Sequence, residues 1–291
     1  MLRRLVLALS APWARFFIHI DAKADTEPFA RRLAGIAHVT LLTNRVRVHW
    51  GGWSQVEASL RMMRAAMASD NSLARFVLLS GACYPLRSNA ALRDFLFADT
   101  AEHISVSRMP NAEKDKPLSR LTRWHVEGGA RTLGAKARAV RMLNDALRLL
   151  PPRDPRAGLG DFVPYAGSNW WALTREAAGL VLDTADARPQ LAAFYRHTLC
   201  PDESYFHTVL ANSALAPRIA STITFADWSG THNEPLPIAD AHLAHLLDAD
   251  SQPFFARKFF GANAHLLDRI EAARQASPRP LFGLRSLAVA S

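Results

Sequence analysis

Short apolar runs of strand length alternate with stretches of helical periodicity between Phe16 and Val106, and this alternation restricts the fold more than any other feature of the chain. Arg15-Phe16-Phe17-Ile18-His19-Ile20-Asp21 predicts a strand that ends on polar residues, with a charged turn through Lys23 and Asp25 after it. Val46, Val48 and Trp50 alternate with Arg45, Arg47 and His49, which predicts a half-buried strand broken by Gly51-Gly52. From Ser54 onward Val56, Leu60, Met63 and Met67 recur at helical spacing, so an amphipathic helix follows, its methionines serving the core. Phe76-Val77-Leu78-Leu79 reads as a strand buried on both faces and ends at Ser80-Gly81. Asn89 is placed to cap a helix through Phe97, and Ile104-Ser105-Val106 offers another strand. The expected fold is α/β with a mainly parallel mixed sheet, its functional loops beyond the carboxyl ends of the strands.

With 291 residues, 49% of them hydrophobic, the chain can bury a full core as one compact domain. No apolar run approaches the roughly 20 residues that cross a bilayer. Met1-Leu2-Arg3-Arg4 followed by Leu5 to Leu9 imitates a signal peptide, but its apolar part is shorter than the roughly 7–15 residues such a region needs. A short helix packed on the domain is expected instead. Only Cys83 and Cys200 are present, which gives neither a disulfide framework nor zinc-site spacing and suits a reducing, cytoplasmic compartment. The net charge of +9 admits nucleic acid, membrane headgroups and phosphorylated small molecules as partners. Arginine is dispersed along the chain without a dense basic block or an aromatic ladder, which argues against nucleic acid and leaves peripheral membrane contact admitted.

Residues 108–164 shift to basic and polar composition and read as an insertion or lid, with one helix from Ala135 to Leu150 stopped by Pro151-Pro152. Gly167 to Leu173 returns to strand character, and Thr174 is placed to cap a helix Arg175 to Leu182. A further helix is expected from Asp202 to Asn212, because Pro201 cannot continue a preceding helix and acids suit a first turn. Alone, Asp202-Glu203 would be a dipole-stabilising pair. Beside Tyr205, Phe206 and His207 it could equally be a carboxylate whose pKa is raised by desolvation, next to aromatic faces that stack on a sugar. Phe254-Phe255-Ala256-Arg257-Lys258-Phe259 fits a loop anchored by its phenylalanines, or a diphosphate site in which Arg257 and Lys258 act as complementary donors. Asp227-Trp228 follows the strand Ile223-Thr224-Phe225. Asp248-Ala249-Asp250 has the spelling of an Asp-any-Asp metal motif but follows Leu243 to Leu247, so it reads as a helix end without a metal.

Taken in order, Ile18-His19-Ile20-Asp21-Ala22-Lys23, Trp50-Gly51-Gly52, Leu79-Ser80-Gly81 with Tyr84-Pro85-Leu86-Arg87-Ser88, Gly167-Ser168-Asn169-Trp170-Trp171, Pro201-Asp202-Glu203-Ser204, Asp227-Trp228-Ser229 and Phe254 to Phe259 resemble the core-2/I-branching family. That family includes beta-1,6-N-acetylglucosaminyltransferases and peptide O-xylosyltransferases, and the last two motifs look closer to the xylosyltransferase branch. The resemblance implies a GT-A type fold over residues 1–291, with 262–291 as a C-terminal extension, and inverting transfer of xylose or N-acetylglucosamine from a UDP-sugar to a glycan or peptide hydroxyl. It implies no essential metal or other cofactor. Glu203 would be the catalytic base. His19, Asp21, Lys23, Asp227, Trp228, Arg257 and Lys258 would bind the nucleotide sugar, and Trp170, Trp171 and Asp202 the acceptor. Animal members often carry an acid where Cys83 stands, so acceptor recognition does not carry over there. Members also usually have a strand and a polar loop ahead of the segment matching Leu2 to Leu9, so the chain reads as N-terminally short. A catalytically impaired nucleotide-sugar-binding protein is the alternative expectation.

Overall fold

The computed structural model describes residues 1–230, 234–248 and 251–276. Its strands are β1 (Phe16–Ile18), β2 (Val39–Leu41), β3 (Arg75–Val77), β4 (Tyr84–Pro85), β5 (Glu102–His103), β6 (Val106–Arg108), β7 (Tyr165–Gly167), β8 (Ala172–Thr174), β9 (Ile219–Ala220), β10 (Thr224–Ala226) and β11 (Phe255–Arg257). The α-helices are α1 (Leu2–Leu9), α2 (Glu27–Leu33), α3 (Trp53–Ser69), α4 (Asn89–Ala98), α5 (Ser119–Thr122), α6 (Ala135–Leu147), α7 (Arg156–Leu159), α8 (Arg175–Ala187), α9 (Pro189–Tyr195), α10 (Tyr205–Ala211), α11 (Asp240–Leu247) and α12 (Ala264–Ala276). None of these helices is long and apolar enough to cross a membrane, and both cysteines are free. The chain gathers into two compact units, a larger one of residues 15–78 and 101–221 and a smaller one of 1–14, 79–100 and the chain from Thr222 onward.

In the larger unit, β1 and β2 pair in parallel, β6 and β7 antiparallel, and a four-stranded sheet has the order β3-β8-β5-β9. Its core is built on the predicted face of α3, where Val56, Leu60 and Met63 are buried with Ala177, Ala178 and Val181 of α8. Thr174 caps α8 as its sequence predicts, accepting from the Ala177 amide at 3.1 Å. Leu121 and Leu159, from the stretch read as an insertion, are buried in the same core.

In the smaller unit, the order is β10-β11-β4, and α1, α11 and α12 close a core of Tyr84, Leu86, Leu243, Leu246, Phe259, Leu266, Leu267 and Ile270. Buried arginines serve as scaffolding here. Arg87 donates to the carbonyls of Leu246, Asp248 and Ser251, and Arg274 to those of Arg87 and Ala8.

The expected fold needs four corrections. Of the seven strand pairings among described residues, β1-β2, β5-β9 and β10-β11 are parallel and the other four antiparallel, so the pairing is mixed, as the expected mixed sheet allows, but not mainly parallel. Alternation along the chain does not determine which strands become neighbours. β8 arrives from a distant segment to lie antiparallel between β3 and β5.

The stretch 45–50 is not a strand, because side chains take its ladder positions: the Val46 amide donates to His19 Nε2 at 2.8 Å and the Val48 amide to Asp21 Oδ1 at 3.3 Å. Ser88, not Asn89, caps α4. The helix expected from Asp202 is a 3₁₀ turn, Pro201–Glu203, interrupted at Ser204 before α10 begins.

Candidate active site

The turn carrying Glu203 is fixed from both sides. Cys200 adopts a left-handed φ of 52° and its amide donates to the Gly51 carbonyl at 2.9 Å. Gly51 itself has φ +68°, a conformation in which glycine is favoured, and its amide donates to Gln55 Oε1 at 2.8 Å. The Gln55 amide then donates to Asp202 Oδ2 at 2.6 Å. On the other side the Leu199 amide donates to the Arg120 carbonyl at 3.0 Å, tying the turn to α5.

Glu203 Oε2 accepts from Lys116 Nζ at 2.5 Å and from Arg120 Nη1 at 2.6 Å. No described residue hydrogen-bonds to Oε1, and the side chain is 22% exposed. Burial works to raise the pKa of this carboxyl, but Lys116 and then Arg120 outweigh it and hold the group below its ordinary value. The sequence suggested a carboxylate raised by aromatic neighbours, and the structure reverses that. Tyr205, Phe206 and His207 are buried in the core, Tyr205 edge-on to Trp53 with ring centroids 5.2 Å apart, so none of them presents a face to a sugar.

The raised carboxyl is the neighbouring one. Asp202 is buried, with its Oδ1 unpartnered, and desolvation followed by the charge of Glu203 pushes its pKa up to about 7. Burial also pushes His207 down to about 4, so at neutral pH it is uncharged, with Nε2 2.9 Å from the Ser168 carbonyl.

At the end of β1, Asp21 accepts from the Lys23 amide at 2.9 Å and pairs with Lys23 Nζ at 3.2 Å, while that ammonium donates to the Val48 carbonyl. Burial opposes ionisation of Asp21, yet these hydrogen bonds hold its pKa below the usual range. Burial lowers the pKa of His19. Trp170 is half-buried, whereas Trp171 belongs to the core beside Phe206.

These residues all lie in the larger unit, and Asp227, Trp228, Arg257 and Lys258 in the smaller. There Asp227 accepts from the Ser229 amide at 2.8 Å and lies 2.9 Å from His242 Nε2, and Trp228 is 56% exposed. Burial lowers the pKa of Arg257, with the Cys83 thiol beside it, and Lys258 donates to Glu234 at 2.8 Å. Asp248 follows α11 as its C-cap, and Ala249 and Asp250 lie outside the described residues.

A model of the Core-2/I-Branching enzyme family matches residues 1–245. The chain belongs to this family. Human xylosyltransferase 2 is 27% identical over 281 residues, which cover 89% of this chain and 30% of the relative. Mouse xylosyltransferase 2 is 28% identical over 237 residues, with 78% and 25% covered. Xylosyltransferase oxt of Drosophila melanogaster is 29% identical over 217 residues, with 72% and 22% covered. The chain thus spans less than a third of the length of these relatives.

Three side chains that hold this Core-2/I-branching turn, Gln55, Lys116 and Arg120, carry no sequence signal of their own. Lys116 and Arg120 stand 87 and 83 residues before Glu203, in a stretch that is basic throughout. Only the folded chain selects these two cations.

Proposed function

We propose that this Core-2/I-branching chain transfers a sugar, xylose or N-acetylglucosamine, from UDP to a hydroxyl of a glycan or peptide, with inversion, on a GT-A type fold. The observation that carries the proposal is the one-sided clamp on Glu203: Lys116 and Arg120 occupy Oε2 and leave Oε1 without a partner among the described residues. A carboxylate held ionised is ready to accept a proton, and the clamp fixes the oxygen that does so. As the acceptor oxygen attacks the anomeric carbon, its proton passes to Oε1. The bond from that carbon to the diphosphate breaks, and the electron pair leaves with UDP.

The remaining roles rest on the family resemblance. His19, Asp21, Lys23, Asp227 and Trp228 serve the nucleotide sugar, and Trp170 with Asp202 the acceptor side. Trp171, being a core residue, acts there through packing. Arg257 and Lys258 supply the positive charge that suits a departing diphosphate, so no metal is required. The catalytically impaired nucleotide-sugar binder is the second reading, favoured by the ion pair that already occupies Lys258.

The test is UDP release from UDP-xylose or UDP-N-acetylglucosamine with purified protein, with and without a chelator. Glu203→Gln should reduce release by roughly 100- to 10,000-fold, and the chelator should leave it unchanged. Equal release by wild type and variant would sink the assignment of the base. Binding of UDP without turnover would establish the impaired binder.

A further inference from the structure

α6 carries apolar residues on two faces. Ala137 is its one buried residue, and Val140, Asn144 and Leu147 are half-buried on the same inward side. Asn144 fixes the inward face, accepting from the Val126 amide at 2.8 Å and donating to the Val126 carbonyl at 2.9 Å. At about 100° of rotation per residue, Ala139, Met142 and Ala146 fall on the opposite, outward face, with Leu143 at its edge. Met142 is 66% and Leu143 47% exposed, and the turn beyond the helix continues the stripe with Leu149 at 87% and Leu150 at 46%. An ordinary surface helix keeps the face away from its core polar.

Charge decides what could cover it. Between Arg131 and Arg153 there are six basic residues and one acid, Asp145. Arg141 and Arg153 are engaged: Arg141 donates to the carbonyls of Gly129 and Thr132, and Arg153 lies over the rings of Trp124 and Phe194. Lys136 and Arg138 are exposed and flank the outward stripe on either side. Protein interfaces are depleted in lysine at their centre. Apolar residues bordered by cations with long alkyl stems are instead the pattern of a helix lying in a lipid headgroup layer. The net charge of +9 on the whole chain works in the same direction.

We infer that α6 and the turn to Leu150 form a docking surface for an anionic lipid bilayer, with Met142, Leu143, Leu149 and Leu150 entering the headgroup boundary and Lys136 and Arg138 meeting lipid phosphates. This surface stands independently of sugar transfer and calls for no membrane-spanning segment.

The test is sedimentation of the full chain with vesicles of phosphatidylcholine, alone or with about 30% phosphatidylglycerol. Wild type should sediment with the anionic vesicles and far less with the neutral ones. Lys136→Gln with Arg138→Gln should weaken binding about 25-fold, roughly fivefold for each cation removed. Met142→Glu with Leu143→Glu should weaken it by at least about tenfold. These positions are exposed, so unchanged thermal melts will show that the variants remain folded. Wild type that stays in solution, or variants that bind as wild type does, would overturn the inference. So would a doubled molar mass in light scattering that the Glu pair reduces to that of one chain, because the stripe would then be covered by a second copy.

Discussion

Asp202 and Glu203 stand side by side in one turn and hold their protons in opposite ways. Glu203 meets two cations and stays ionised. For Asp202, burial and then the charge of its neighbour outweigh the more distant pull of Lys116 and Arg120. The consequence for stability can be signed. An unfolded aspartate ionises near 3.8 and the folded one near 7, so between those values the folded state holds a proton that the unfolded state has lost. The Asp202 contribution to stability therefore falls as pH rises through that window and levels off above it, while His207, lowered to about 4, contributes in the opposite sense. Relative to Asp202→Asn, whose amide oxygen can still accept from Gln55, wild type should lose about 3 kcal/mol between about pH 5 and about pH 8. Urea melts of both proteins at the two pH values measure this, and a stability difference between them that does not change with pH would refute the raised carboxyl.

At the level of elements, β6 and β7 approach so closely that a methyl group on Gly167 would stand 1.6 Å from the Ser105 carbonyl oxygen and 2.9 Å from the His207 ring. The first obstacle is backbone and cannot swing aside. Gly167→Ala should cost more than about 3 kcal/mol and displace the Tyr165 carbonyl that accepts from Ser204 at 2.8 Å beside the Glu203 turn. A denaturation midpoint equal to that of wild type would refute this close approach. Elements written in local periodicity, such as α3, β1 and α8 with its Thr174 cap, were readable from sequence, because spacing and capping are properties of neighbouring residues. The direction of β8 and the loss of the strand at 45–50 were not readable, since both depend on partners far along the chain. The same limit governs the candidate site. Pro201-Asp202-Glu203 could be marked by its residue types, but the cations that invert the expected pKa of Glu203 come from α5 and the loop ahead of it, 83 and 87 residues away.

For the whole molecule, the smaller unit draws on the two ends of the described chain and on Leu79–Thr100 between them. α12 lies beyond the stretch that matches the family, yet Leu266, Leu267 and Ile270 are almost fully buried in that unit. A stop after Asn263 should therefore unfold the smaller unit. Hydrogen exchange should accelerate to the unfolded rate in residues 1–14 and 79–100 and remain slow in α3 and α8. Protection retained across 1–14 would contradict that dependence. Arg274 donates to the Ala8 carbonyl 266 residues away, so this tie cannot form until α12 has been made. At roughly 5–20 residues per second, on the order of 13–50 s of synthesis separates these two partners. Over that interval the core of the smaller unit is incomplete and open to chaperones and proteases, so the yield in the cell depends on what finds it before α12 is made.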